Sequence, residues 1–165
     1  MRLVPIALLA LLVACSSEHR NAAGKVVFPS NGIIVDVPAG WNWDKWGDET
    51  FEFEVLTWDD GRYLYTATAP KSVSFDKFRP LIEGEILAAY KDQHLAYESV
   101  EDLTVAGHQA CIVEESLVRD GKLDTRWHLY LDNGAVTTEA VGGFPDGDAA
   151  ARDAMYDAVL SIVVP

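Results

Sequence analysis

Residues 109–141, QACIVEESLVRDGKLDTRWHLYLDNGAVTTEAV, decide the fold of this chain. Three apolar stretches are separated here by two short turn sequences, at 119–122 and 132–134. Asp-Gly and Asn-Gly between apolar stretches are strong signals for tight β-hairpins. The region is therefore predicted to form three antiparallel strands, 109–118, 123–131 and 135–141, which Gly-Gly-Phe-Pro at 142–145 brings to an end.

Strand patterns also occur upstream of this region. Residues 33–37 are mostly β-branched and stop at a Pro-Ala-Gly turn. Residues 51–55 alternate apolar and acidic side chains, which predicts a strand with Phe53 and Val55 on one face and the glutamates in water. An Asp-Asp-Gly turn at 59–61 joins this strand to a second one, 63–68, as a hairpin. A further short strand is predicted at 97–100.

Two helices are predicted, one on each side of the three-strand region. The first has an apolar stripe at three- to four-residue spacing, which consists of Phe75, Phe78, Ile82, Ile86, Ala89 and Tyr90. Ser74 is its predicted N-cap, and Pro80 predicts an irregular or 3₁₀ first turn followed by a regular helix from about Arg79 onward. Asp148 is the predicted N-cap of the second helix. The apolar face of that helix consists of Ala151, Met155, Val159 and Ile162.

The strands are predicted to form hairpins, and the helices are separate from them along the chain. This arrangement favours an α+β fold, in which an antiparallel sheet is covered by two helices, over a fold of alternating βαβ units. The order of elements resembles the PsbP-like α/β/α sandwich superfamily, which includes photosystem II extrinsic proteins and small bacterial lipoproteins such as the DcrB-like group. The resemblance covers about residues 28–163. It rests mainly on VDVPAGW at 35–41 and on the apolar tail at 161–164. It implies a binding or assembly factor.

The first fifteen residues, MRLVPIALLALLVAC, have the pattern of an export signal. Arg2 precedes an apolar stretch that is too short to cross a bilayer as a helix. The stretch ends in Leu-Val-Ala-Cys, which resembles the lipobox of bacterial lipoproteins and implies cleavage before Cys15 and acylation of that residue. Residues 1–14 are then the signal peptide, 15–25 the lipidated cysteine and a flexible tether, and 26–165 one domain. Ser16 after the anchor favours the outer membrane, facing the periplasm.

The charge balance restricts the class of partner. Asp and Glu number 26 against 13 Lys and Arg, a formal net charge of −13, and removal of Arg2 with the signal makes it −14. An acidic surface is repelled by phosphate backbones, so nucleic acid is not an expected partner. The expected partners are the membrane, through the lipid anchor, and a protein. With Cys15 acylated, Cys111 is left without a disulfide partner and is predicted to be buried.

Tryptophans are the candidate contact residues of this chain. Trp41, Trp43 and Trp46 fall within six residues beside a predicted turn, and Trp58 lies beside the Asp-Asp-Gly turn. The segment at 41–46 is interpreted as a loop, and clustered aromatic rings in loops bind ring-shaped ligands or anchor protein partners. The PsbP-like resemblance places Trp41 in the core, so Trp43, Trp46 and Trp58 are the candidate binding residues. Packing of Trp43 and Trp46 over the sheet edge stays open as the alternative.

No catalytic residues, metal ligands or cofactors are predicted. The four histidines, at positions 19, 94, 108 and 128, lack ligand spacing, and strand alternation places His108 and Cys111 on opposite faces. Asp146 and Asp148 begin a calcium-loop pattern that lacks its downstream Glu. Neither a nucleophile elbow, nor a phosphate-binding loop, nor a dinucleotide fingerprint is present.

The sequence therefore predicts a lipid-anchored protein of the cell envelope that binds a protein partner and is not an enzyme. One alternative is an immunity-type inhibitor, whose acidic surface suits a basic toxin. Another is a ligand carrier or hydrolase with a groove between the sheet and Trp43 and Trp46. An exposed acidic patch favours the inhibitor, and a concave aromatic-lined pocket favours the carrier.

Overall fold

The computed structural model describes residues 21–48, 51–70, 74–77, 79–82, 84, 96–119, 122–134 and 136–165. The strands are β1 (Gly24–Val27), β2 (Ile34–Val37), β3 (Trp41–Asp48), β4 (Phe51–Trp58), β5 (Tyr63–Pro70), β6 (Ala96–Val105), β7 (His108–Arg119), β8 (Lys122–Asn133) and β9 (Val136–Pro145). The C-terminal helix spans Ala149–Leu160, and residues 75–77, 79–82 and 84 form an earlier helical segment.

Seven strands form one antiparallel sheet in the order β3-β4-β5-β9-β8-β7-β6. The predicted hairpin of β4 and β5 and the predicted three-strand region, β7 to β9, are both present. Pairing of β5 with β9 joins these two parts across the centre of the sheet. Strands β1 and β2 form a separate two-stranded ribbon, and an isolated bridge between Ile34 and Val163 ties this ribbon to the tail after the C-terminal helix.

The sheet is packed on both faces because its strands alternate two sets of apolar side chains. On one face Ile112 and Leu129 pack with Met155 of the C-terminal helix and with Phe28 and Val35 of the β1–β2 ribbon. We call this the C-terminal-helix face. The other face holds two smaller clusters. One consists of Phe75, Ile82, Cys111, Val113 and Tyr130, and the other of Val55, Tyr63 and Val141. The predicted α+β class, a sheet with helices on its two faces, is confirmed.

Local chemistry explains how the two helical segments begin. Asp148 caps the C-terminal helix as predicted, since its Oδ1 accepts a hydrogen bond from Ala151 N at 3.0 Å. In the earlier segment the residues at 75–77 are already helical, ahead of the start predicted at Arg79. Lys77 N donates to Ser74 O at 2.9 Å, an i to i−3 bond of the tighter 3₁₀ type.

Three boundaries differ from the sequence prediction. The segment that carries Trp41, Trp43 and Trp46 is strand β3 and not a loop, because it pairs with β4 over its whole length. Strand β1 begins at Gly24, inside the predicted tether, and Asn21 O accepts a bond from Gly40 N at 2.8 Å. Strand β9 continues through the Gly-Gly-Phe-Pro sequence to residue 145.

The glycines of β9 are required by close packing, which explains why they do not end the strand. A Cβ at Gly142 would lie 3.0 Å from Val159 Cγ1, so its absence lets the C-terminal helix approach the sheet. A Cβ at Gly143 would lie 2.0 Å from the ring of Tyr63 on the other face. The two glycines therefore let the sheet pack tightly on both sides.

Several predicted features lie outside the described residues. They are the signal peptide and Cys15, the Asp120–Gly121 turn, and Phe78, Ile86, Ala89 and Tyr90 of the first helix. Within the part of the chain that is described, no helix combines the length and apolar character needed to cross a membrane.

Candidate functional site

Strand β3 distributes its three tryptophans over both faces at one end of the sheet. Trp41 lies opposite Trp58 and Trp43 lies opposite Leu56, so both rings are on the C-terminal-helix face. Trp46 lies opposite Phe53, on the other face.

Trp58 belongs to the core and is removed from the candidate contact residues. Its side chain is 6% exposed, and its indole Nε1 donates to Ala39 O at 3.1 Å. The Arg62 guanidinium lies 5.3 Å from the ring centroid and covers it. The sequence placed Trp58 beside a turn, but strand alternation turns the ring inward with Leu56.

Trp46 is half-buried in an aromatic cluster. Its ring lies 4.9 Å from Tyr63 and 6.4 Å from Phe53, measured between centroids, and Tyr65 packs against the same group. Its Nε1 donates to Asp44 Oδ2 at 3.2 Å. Most of the Trp46 ring is therefore in packing contacts. This agrees with the alternative that the sequence left open, in which Trp46 packs over the sheet edge.

Trp43 is the β3 tryptophan with the largest exposed apolar surface. Its side chain is 43% exposed, and its ring stands edge-on to the fully buried Phe28 at 5.4 Å and to Trp41 at 5.8 Å. Trp41 is half-buried, and its Nε1 donates to Ala22 O at 3.1 Å. Trp43 is therefore held by aromatic neighbours on its inner side, and its outer side faces solvent.

An open groove of about 460 Å³ lies in front of this ring. We call it the Trp43 groove, and it is lined by Pro29, Trp43, Asp44, Lys45 and Glu54. A second depression of about 350 Å³ continues it across β4 and β5 and shares Lys45 and Glu54 with it. Its aromatic wall is Trp43, and its charged residues are Glu54, Lys45 and Asp44, whose carboxylate bonds to Trp46 on the opposite face of β3. The groove therefore combines an apolar contact with a small excess of negative charge.

The rim of the Trp43 groove is fixed by hydrogen bonds from the loop between β1 and β2. Ser30 N donates to Glu54 Oε2 at 3.1 Å, and Asn31 Nδ2 donates to Thr66 Oγ1 at 3.0 Å. Lys45 Nζ donates to Glu52 Oε1 at 2.5 Å, and this hydrogen bond raises the pKa of Lys45. The groove is thus built from two strands and one anchored loop.

A second polar feature lies on the sheet face opposite the C-terminal helix. We call it the buried polar cluster, and it consists of Glu115, Arg126, His128, Tyr130 and Glu139. Arg126 Nε donates to Glu115 Oε1, and His128 Nδ1 lies 3.3 Å from the same oxygen. His128 Nε2 lies 3.3 Å from Glu139 Oε2, and Tyr130 OH lies 3.0 Å from His128 Nδ1.

In this cluster, burial shifts the pKa values of Glu115 and His128 in one direction, and hydrogen bonds and nearby charges shift them in the other. At both groups the hydrogen bonds and charges have the larger effect. Burial alone would raise the pKa of Glu115, but the hydrogen bond from His128 and the charge of Arg126 hold it below its usual value. Burial alone would lower the pKa of His128, but its bonds to Glu115 and Glu139 raise it. The cluster therefore favours an imidazolium between two carboxylates.

The buried polar cluster was missed at the level of sequence, because in so acidic a chain a functional carboxylate such as Glu115 could not be told from solvated surface. Strand alternation could have predicted its burial, because Glu115 lies on the same face of β7 as the buried Cys111 and Val113. A carboxylate in that position is 1% exposed and needs a cation on the neighbouring strand, which Arg126 supplies.

Cys111 is buried as predicted, and burial raises the pKa of its thiol to about 12. Its thiol is thus protonated at neutral pH and a poor nucleophile or metal ligand. Among the side chains that the structure describes, no group of three or more His, Cys, Asp and Glu residues is arranged to hold a metal ion.

Comparison with known proteins places the chain by its fold. No family model and no curated protein matches the sequence. Among solved structures, cyanobacterial PsbP (CyanoP) from Synechocystis sp. PCC 6803 has a TM-score of 0.64 at 10% identity, over 93% of this chain and 99% of that one. The chain therefore has a PsbP-like α+β fold, as the sequence resemblance implied.

Two further structures are similar at the same level. LpqN of Mycobacterium tuberculosis, which is involved in cell envelope biogenesis, has a TM-score of 0.61 at 16% identity, over 89% of this chain and 92% of that one. A protein of Bacteroides thetaiotaomicron has a TM-score of 0.57 at 13% identity, over 87% of this chain. This chain spans 48%, about half, of the Bacteroides chain. At these identities the similarity is one of fold.

Proposed function

We propose that this chain is a lipid-anchored protein of the cell envelope that binds a protein partner through the Trp43 groove and performs no chemistry of its own. The lipid would be carried by Cys15, on the periplasmic side of the outer membrane. The observation that carries the binding proposal is the exposed face of Trp43, set in a groove of about 460 Å³ at a terminal strand.

The anchor is supported by the first fifteen residues, which combine one cation, an apolar stretch and a Leu-Val-Ala-Cys end. LpqN, whose fold is similar, is involved in cell envelope biogenesis, which is the setting that an exported lipoprotein would share. One acyl chain gives marginal membrane binding and two or more give stable binding, because each buried methylene contributes about 0.8 kcal/mol.

The binding role is supported by the way Trp43 is held. An indole that is fixed on one side and exposed on the other loses little side-chain entropy on binding, and such rings often dominate the energy of an interface. Phe28 and Trp41 fix it here through edge-on contacts. The described carboxylates of the groove, Asp44 and Glu54, would select a partner that brings basic side chains.

A second candidate function is an immunity-type inhibitor of a basic toxin. The formal net charge of −13 and the small excess of negative charge in the Trp43 groove favour it. A carrier of an aromatic ligand is less favoured, because the groove is open and, among its described lining residues, Trp43 alone is aromatic.

The anchor is tested by fractionating cells that produce the full-length chain with Cys15→Ala. We expect the variant to leave the membrane fraction, because the acidic domain has no other affinity for lipid. Cys111→Ala, which removes a buried thiol, is the matched control and should remain in the membrane fraction. Sedimentation of the Cys15→Ala protein with salt-washed membranes would contradict the anchor.

The binding role is tested with Trp43→Ala in a capture experiment from envelope extract, with thermal unfolding measured on the same protein. We expect capture to be lost while the variant still unfolds in one cooperative transition, at a lower melting temperature because the half of the ring that packs on Phe28 and Trp41 is also removed. Leu123→Ala is the control, since Leu123 is 46% exposed on another strand and should leave both quantities unchanged. Undiminished capture by Trp43→Ala would contradict the proposal.

A further inference from the structure

Strand β3 is a terminal strand of the sheet, and among the described strands only β4 pairs with it. Trp58 N donates to Arg62 O, so Trp58 and the opposite residue Trp41 direct their backbone groups away from each other. Trp41 O accordingly accepts from Asn21 Nδ2 at 3.0 Å, on the outer side. Because antiparallel pairing alternates, the N–H and C=O groups of Trp43 and Lys45 also face outward.

Asn21 covers only the beginning of this edge. Beyond Trp41, no strand in the described part of the chain pairs with the outer side of β3. Lys45 N donates instead to Asp44 Oδ1 of its own strand at 2.8 Å. A backbone carbonyl from another strand can replace that local acceptor. This exchange would free Asp44 Oδ1 for a cation of the incoming strand, while Oδ2 still accepts from Trp46 Nε1.

The side chains beside this edge define what an added strand must carry. A residue paired with Trp43 would lie on the same face and enter the Trp43 groove next to Pro29. A residue paired with Asp44 would lie on the opposite face, beside the carboxylate. An alternation of apolar and basic side chains therefore satisfies both faces of β3 at once.

We infer that the Trp43 groove binds its partner by β-strand addition: an extended segment with alternating apolar and basic residues pairs with the outer edge of β3. This inference rests on the proposed function and specifies the partner of the same site. Main-chain hydrogen bonds to Trp43 and Lys45 hold the segment, the Trp43 ring receives an apolar side chain, and Asp44 receives a basic one.

A second copy of this chain is a poorer occupant of the same edge. Two copies would bring together three carboxylates from each, Asp44, Glu52 and Glu54, against one Lys45 from each, on chains that each carry a formal net charge of −13. Like charges at close range oppose such pairing. The acidic groove is instead complementary to a basic strand.

Lys45→Pro tests the backbone bond without disturbing the sheet. Lys45 N faces away from β4, so proline removes an outward N–H and leaves the β3–β4 pairing intact. Lys45→Ala removes the same side chain and keeps the N–H, which makes it the matched control. Melting temperatures of both variants establish that the sheet is preserved.

The probe is a fluorescent octapeptide of four Lys-Val repeats, titrated by anisotropy into the mature chain in detergent micelles. We expect binding that is at least about tenfold weaker with Lys45→Pro and less than about threefold weaker with Lys45→Ala. A peptide of the same sequence with N-methylated valines has the same charge but cannot pair, and a Glu-Val repeat has the opposite charge. Neither should bind. Hydrogen exchange, followed by NMR, should slow at the Trp43 amide when the Lys-Val peptide is bound.

Equal binding of the N-methylated peptide, equal binding by Lys45→Pro and Lys45→Ala, or an unchanged exchange rate at Trp43 would overturn strand addition. Formation of dimers that the peptide does not displace would also overturn it, in favour of a second copy.

Capture from envelope extract distinguishes failure of strand addition from failure of the Trp43 groove as the binding site. If Trp43→Ala loses capture and Lys45→Pro retains it, the partner binds at the groove without adding a strand. If Trp43→Ala retains capture, the proposed site itself is wrong.

Discussion

Gly143 has no side chain because the ring of Tyr63 occupies the space that a side chain would fill. A Cβ built on Gly143 would lie 2.0 Å from Tyr63 Cε1 and 2.2 Å from Cζ. The ring is held from its far end as well, since Tyr63 OH donates to Asp124 Oδ2 at 3.0 Å. One missing methyl group thus allows an aromatic ring to lie flat on the centre of the sheet.

Gly143→Ala is expected to destabilise the protein by about 1 to 3 kcal/mol, the usual cost of adding a group to a filled space. The new methyl group would displace the Tyr63 ring and break its bond to Asp124. Urea unfolding of the purified domain measures the loss. Gly84→Ala is the control, because this helical glycine has no described atom within 4 Å of a new Cβ and alanine favours a helix. An unchanged midpoint for Gly143→Ala would show that the Tyr63 ring is not packed as described.

The tryptophans show how far single residues could be predicted from the sequence. Composition and proximity to turns selected Trp43, Trp46 and Trp58 together, but burial separates them. Trp58 is 6% exposed, Trp46 is half-buried and Trp43 is 43% exposed. That difference is decided by which strand lies opposite each ring and by the loop that carries Phe28, and both are long-range pairings.

At the scale of elements, strands β7 and β8 form the centre of the buried polar cluster. Glu115 lies opposite Arg126 in the register, and His128 is two residues further along the same face. The Glu115 side chain is 1% exposed and that of Arg126 is 17% exposed. Removal of the cation would leave a buried carboxylate without its main counter-charge.

Arg126→Met is expected to cost about 3 kcal/mol, the lower end of the usual loss for a buried pair that loses one partner, because His128 still bonds to Glu115. The double variant Glu115→Gln with Arg126→Met should recover part of this loss, because the unpaired charge is then absent. Urea midpoints of the two variants measure the difference. Lys45→Met, which breaks the exposed pair with Glu52, should leave the midpoint nearly unchanged. Similar midpoints for Arg126→Met and Lys45→Met would contradict the burial of the cluster.

Elements were predictable from sequence where short turns impose the pairing. The Asp132–Gly134 turn and the Asp-Asp-Gly turn at 59–61 each join two strands that the structure confirms. Strand β3 was not predictable in this way, because its tryptophans at 41, 43 and 46 do not keep a period of two. A terminal strand with rings packed on both of its faces loses the simple alternation, and the segment was read as a loop.

At the scale of the whole molecule, the two faces of the sheet are stabilised by different kinds of interaction. The C-terminal-helix face is apolar and is closed by that helix and by the β1–β2 ribbon, while the opposite face carries the buried polar cluster between two apolar clusters. Apolar burial changes little with pH. The pH dependence of the whole fold near neutrality is therefore expected to arise from the face that holds His128.

The pKa of His128 is raised because its bonds to Glu115 and Glu139 outweigh its burial. A raised pKa means that the folded state holds the proton more tightly than the unfolded state, whose His has a pKa of 6.5. The resulting stabilisation is fully present below pH 6.5 and is lost as the pH rises through the folded-state pKa. Glu115 has the opposite sign, since its lowered pKa gives stability that is present above 4.5 and is lost as the pH falls through its folded-state value.

The free energy of unfolding of the wild-type domain, measured with urea, is therefore expected to fall as the pH rises above about 6.5, by at most about 1.4 kcal/mol per pH unit for one proton. His128→Gln keeps a hydrogen-bonding side chain but cannot take up the proton, so its midpoint should be lower at pH 6 and nearly flat over the same range. His108→Gln is the control and should keep the wild-type slope, because His108 is a partly exposed residue on the other face of β7, where its ring bonds to Asp132 O. Parallel pH profiles for the wild type and His128→Gln would mean that His128 is neutral in the folded protein, and Arg126 would then be the cation that compensates Glu115.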